Sequence, residues 1–78
     1  MAGVLENMSP AARERRLGEL AHALIDLVRE HGELSLRVAL RAAAARRRTG
    51  ISQVKHAADY AMARDLLHLD VDDMLTVP

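Results

Sequence analysis

Apolar residues recur along this chain with two different periods, and the change from one to the other divides it. Leu17, Leu20, Ala21, Leu24, Leu27 and Val28 are spaced by three and four, with Arg15, Arg16, Glu19, Asp26, Arg29 and Glu30 filling the positions between them. That spacing gathers the apolar side chains on one face of a helix with 3.6 residues per turn. Ser9 and Pro10 supply its start. A serine hydroxyl accepts from the free N–H groups of a first turn, and proline at the first helical position gives up a donor that has no partner there. Gly32, after His31, supplies the stop. The preceding residues, MAGVLENM, show no such period and are expected to form a flexible arm over residues 1–8.

Glu33 and Leu34 form a short link suited to a brief strand, and Ser35 is placed to cap a second helix reaching about Arg48. In that helix Leu36, Leu40 and Ala43 share one side, while Arg37, Arg41 and Arg48 fall within about 40° of one another on a different side. Thr49 and Gly50 are expected to close it, with Gly50 in the left-handed conformation. Ser52 is expected to cap a third helix. Val54, Ala57, Ala58 and Ala61 point inward there, leaving Gln53, His56, Asp59, Tyr60 and Ala63 on the far side and Lys55 at the flank. Beyond Leu67 the period becomes two, with Leu69, Val71, Leu75 and Val77 alternating with polar residues. A hairpin pairing Val71 with Leu75 and Leu69 with Val77 keeps them on one face and puts Asp72, Asp73 and Met74 in the loop.

Composition adds a constraint on the core. The chain has 78 residues, enough for one domain, and contains no Phe or Trp and one Tyr against twelve Leu and fourteen Ala. Alanine lets helices approach closely but supplies little area at about 25 cal/mol per Å². Dimerisation is therefore expected to contribute to stability. The absence of Cys excludes disulfides and thiolate metal sites and fits a reducing cytoplasm. No apolar run approaches the ~20 residues of a membrane span, and the N-terminus has no secretory pattern. The expected location is cytoplasmic.

The net charge of zero conceals an asymmetry. Residues 1–48 contain nine Arg against six acids, +3, and residues 49–78 contain Lys55 and Arg64 against five Asp, −3. Between Leu34 and Ala58 there are six cations, Arg37, Arg41, Arg46, Arg47, Arg48 and Lys55, and no acid. Such a block suits phosphate binding. A solvated helix face with cations at a helix C-terminus is the alternative. Enzyme chemistry finds no support. His22, His31, His56 and His68 make no pair three or four apart on one helix, there is no glycine-rich phosphate loop, and Ser9, Ser35 and Ser52 are accounted for as caps. Asp70, Asp72 and Asp73 lack the glycine and terminal glutamate of a calcium loop. No metal, cofactor or catalytic residue is expected.

The stretch Thr49 to Leu67, TGISQVKHAADYAMARDLL, followed by HLDVDDMLTVP, resembles the second half of a winged helix-turn-helix domain. Its most specific portion is Gly50, Ile51 and Ser52 followed by Val54, Ala57, Ala58, Ala61, Leu66 and Leu67. With the preceding elements the likeness extends over residues 9–78. It implies a mainly α fold, a three-helix winged helix-turn-helix with a small C-terminal β-hairpin as wing. It also implies a DNA-binding protein, a transcriptional or DNA-transaction regulator, working on double-stranded DNA as a homodimer. The recognition-helix role then falls on Ser52, Gln53, Lys55, His56 and Tyr60, with Arg46, Arg47 and Arg48 approaching the adjacent backbone and Arg37 and Arg41 extending the basic stripe. The wing bears Asp70, Asp72 and Asp73, which repel phosphate. An alternative is therefore a winged-helix protein–protein interaction module whose acidic wing meets a protein partner.

Overall fold

Ser9 and Pro10 start α1 (Pro10–His31) in the manner the sequence predicts. The Ser9 hydroxyl accepts from the Ala12 N–H at 3.2 Å, and Gly32 ends the helix at φ 82°. The structure, a computed structural model, describes residues 8–78, so the arm expected over residues 1–8 lies, Met8 apart, outside the described residues. A short strand β1 (Leu34–Ser35) leads into α2 (Leu36–Arg47), where Ser35 accepts from Val38 N–H at 3.2 Å. Helix α3 (Ile51–Ala63) follows after three residues, and the chain finishes with β2 (His68–Leu69) and β3 (Met74–Thr76).

Strand β3 lies between β1 and β2, antiparallel to both. The element order and this sheet make a mainly α, three-helix winged helix-turn-helix arrangement, with β1 joining the C-terminal hairpin as a third strand. Pairing Leu34 with Leu75 brings the start of α2 against the turn of the hairpin, and the Leu36 N–H donates to the Asp73 carbonyl at 2.8 Å.

The core lies where α1 crosses α2 and α3. Leu20, Leu24 and Val28 of α1 meet Ala39 and Ala43 of α2 and Val54, Ala57, Ala58 and Ala61 of α3, while Leu67 and Leu75 close the open end. Small side chains on α2 and α3 bring these two helices close to the leucines of α1. Because α1 touches both partners, its buried arc is wider than the predicted stripe and takes in Ala23 and Ile25, whereas Leu17 is only half-buried. The exposed large apolar side chains Val38, Ile51, Leu66, Leu69 and Val71 all lie outside α1.

Three local expectations are corrected. Arg48, at φ 50°, takes the left-handed position at the end of α2, where its N–H and that of Thr49 reach back to the last carbonyls. Gly50 is extended instead, at φ −75° and ψ 151°, and is itself the N-cap of α3; Ser52 lies within the first turn and does not cap it. Third, the hairpin register is Leu69 with Leu75 and His68 with Thr76, two residues from the one predicted. The turn is Asp70–Asp73, closed by the Asp73 N–H donating to the Asp70 carbonyl at 3.1 Å. One carboxylate oxygen of Asp70 accepts from the N–H groups of Asp72, at 2.8 Å, and Met74, at 3.0 Å. Asp73 adopts φ 59°. Aspartate thus supplies both the side-chain closure and the left-handed residue that glycine would give. Val71 consequently sits on the turn, 99% exposed, and does not pair.

Candidate nucleic-acid interface

Helix α2 presents its polar side away from α1, and the three-residue turn carries α3 off so that its first turns flank that side. Arg37 and Arg41 from α2 and Lys55 from α3 line one groove, of ≈ 650 Å³, together with Ser35, Leu36, Leu40, Ile51 and Asp73. Leu36, Leu40 and Ile51 form its apolar floor. The sequence counts Ile51 in the winged-helix likeness but gives it no place on the binding surface; α3 begins at that residue and leaves it 47% exposed.

The ten residues singled out in the sequence divide into two groups. Arg37, Arg41, Arg47, Arg48, Ser52, Lys55 and His56 are exposed. The five cations in this group make no ion pair with an acid among the described residues, whose salt bridges join Arg16 to Glu19, Arg46 to Glu30 and Arg64 to Glu14. Beside them the N-terminus of α3 has no side-chain cap. Its free N–H groups add the positive end of the helix dipole to the same surface.

The other three side chains are already engaged within the fold. Both terminal nitrogens of Arg46 bond Glu30, at 3.2 and 2.8 Å, clamping α2 to α1. This charge-assisted bond holds the Glu30 carboxyl below the ordinary carboxylate range. Gln53 is half-buried and its side-chain oxygen accepts from the Thr49 hydroxyl at 2.7 Å, bracing the turn between α2 and α3. Tyr60 is half-buried with the Arg64 guanidinium 3.7 Å from its ring centroid, and Arg64 reaches on to Glu14 at 3.2 Å. That chain of contacts fastens the end of α3 to the start of α1. Tyr60 also lines a second hollow of ≈ 310 Å³ there, with Met8, Arg13 and Leu17.

The exposed polar edge of α3 thus consists of Ser52, Lys55, His56 and Asp59, with the arginines of α2 alongside. Hydroxyl, ammonium and imidazole groups reach base edges and phosphates, whereas Asp59 suits only a donor such as a cytosine amine. The acids of the wing stand at the foot of the groove, Asp73, and at the tip, Asp72. No helix among the described residues is long and apolar enough to cross a membrane. Comparison of the chain with protein-family models, with curated proteins and with solved structures gave no match.

Proposed function

We propose that this chain is a small DNA-binding protein, a regulator of transcription or of another DNA transaction, that docks α3 in the major groove of duplex DNA. The observation behind this reading is a cluster of unpaired cations; Arg13, Arg15 and Arg29 also lack an acidic partner among the described residues, but they are spread along α1. Arg16, Arg46 and Arg64 are neutralised by glutamates, whereas Arg37, Arg41, Arg47, Arg48 and Lys55 stand exposed without an acidic partner among the described residues, around the uncapped end of α3. Phosphates are the ligands such an arrangement fits, because each contact releases condensed counterions and N–H groups at a helix terminus receive phosphate oxygens well. His56 then carries the base contact and Lys55 a phosphate contact. One such module buries only about 600 to 1,000 Å² against DNA, so two copies on adjacent half-sites supply the affinity that one lacks.

Titration of mixed-sequence duplex DNA across a salt series tests this. Binding at about 50 mM salt that weakens linearly in log K against log salt is expected, with a slope of about −0.9 for each phosphate neutralised. Absence of binding at that salt favours the second reading, a protein-interaction module. The observation on that side is Val71, 99% exposed on an acidic wing that would repel a phosphate backbone.

A further inference from the structure

We infer that the wing tip of one copy of this chain docks in the α2–α3 groove of a second copy. The groove has an apolar floor of Leu36, Leu40 and Ile51 beneath a rim of Arg37, Arg41 and Lys55, opposed by the one carboxylate of Asp73. Its complement is a narrow protrusion bearing an apolar side chain between carboxylates. The wing tip has that form: Val71, 99% exposed, stands between Asp70 and Asp72. The tip is also braced before it meets anything, because the Asp70 carboxylate accepts from the Asp72 and Met74 N–H groups. Little ordering is then required on docking.

A chain cannot satisfy its own groove in this way, since its own tip is the exposed one. A second copy can, and the charges match: Arg37, Arg41 and Lys55 against the one carboxylate of Asp73 leave the groove positive, and Asp70 and Asp72 make the tip negative. Different patches meet on the two copies, so the contact is heterologous and propagates into short chains or a ring. One tip in one groove is smaller than a standard interface, so the association is weak and salt-sensitive. The inference does not rest on DNA binding, and a chain that bound no DNA would still assemble this way.

Sedimentation velocity on the whole chain without DNA tests it. At about 0.1 M salt the average mass should rise with concentration beyond that of one chain, and at about 1 M, where the Debye length shrinks to roughly 3 Å, it should return to it. The groove variant Arg41→Glu, and a tip variant combining Val71→Asn with Asp72→Asn, should each weaken association by roughly tenfold or more. Mixed in equal amounts they should form a one-to-one dimer that grows no further, because only one intact tip and one intact groove remain. All these positions are exposed, so melting curves matching the wild type accompany the result. A wild-type chain that is monomeric at every concentration, variants that assemble undiminished, or a mixture that stays monomeric would each overturn the inference.

Discussion

The Arg46 guanidinium forks onto the Glu30 carboxylate, with nitrogen–oxygen distances of 3.2 and 2.8 Å, tying the last turn of α2 to the last turn of α1. One of three consecutive arginines is thereby withdrawn from the basic surface, while Arg47, the last residue of α2, and Arg48, its C-cap, stay free of acidic partners among the described residues. Charge density near the end of α2 is set by an acid on a different helix.

Glu30→Gln should release Arg46 to the surface. The expected outcome is tighter binding to mixed-sequence DNA and a salt dependence steeper by up to about 0.9, the contribution of one more phosphate contact. The same variant alters the response to acid. Because the folded-state pKa of Glu30 is depressed, the pair contributes stability above the unfolded carboxylate value and loses it as pH falls through the folded value. Urea melts at neutral pH and at about pH 3 should therefore differ more for the wild type than for Glu30→Gln. Both carboxylate and guanidinium are exposed, so the difference is small.

Arg48→Gly should raise stability and lower DNA affinity together. A non-glycine residue at φ 50° costs about 1 to 2 kcal/mol, and glycine relieves this while adding back about 0.4 to 1 kcal/mol of unfolded-state entropy. The net gain is between roughly 0 and 1.6 kcal/mol, each 1 kcal/mol raising Tm by about 4 to 8 °C in a domain this small. Loss of one exposed cation should flatten the salt slope at the same time. A fall in Tm would show that the side chain of Arg48 does more than occupy the cap.

How far the sequence could be read depends on how local each cause is. Ser9, Ser35 and the spacing of Leu20, Leu24, Val54, Ala57 and Ala61 act within one turn or one helix, and these features appear where the pattern puts them. The basic stripe was visible for the same reason. What the pattern could not show is partnership between distant residues: Glu30 with Arg46, sixteen positions apart, and Glu14 with Arg64, fifty apart. Gln53 and Tyr60 look like reading residues on a helical wheel and are instead engaged by Thr49 and Arg64. Glycine is the usual sign of a left-handed residue, and here Arg48, Asp65 and Asp73 take that conformation, which hid the α2 cap and the wing turn.

Substitutions along α3 should therefore separate by role. Lys55→Ala is expected to weaken binding to all sequences alike, and His56→Ala to cost about 1 to 3 kcal/mol chiefly on a preferred site. Gln53→Ala, by removing the acceptor of the Thr49 hydroxyl, should lower Tm modestly and leave sequence preference unchanged, about 1 kcal/mol being the worth of one such bond. Competition between a selected site and random duplex reads the first two, and thermal melting reads the third. A loss of sequence preference in Gln53→Ala would return that side chain to the reading face.

The wing register gives the sharpest contrast between pattern and structure, because the structure separates two residues that the pattern treats alike. Alternation makes Val71 and Leu75 partners on one buried face. In the structure Leu75 is fully buried opposite Leu69 and Leu34, and Val71 is 99% exposed on the turn. Val71→Ser should change stability by no more than about 0.5 kcal/mol, as for any exposed site without partners. Leu75→Ala should cost about 2 to 5 kcal/mol, the range for a buried leucine whose cavity cannot fully close, and lower Tm by roughly 10 °C or more. Asp70→Ala should fall between them, because it leaves the Asp72 and Met74 N–H groups to water at an exposed turn, costing about 1 kcal/mol. Equal losses for Val71→Ser and Leu75→Ala would place both side chains on the core face and restore the alternating register. The ordering Leu75, Asp70, Val71 arises only if the Asp70 carboxylate, and not the apolar alternation, decides where the strand turns.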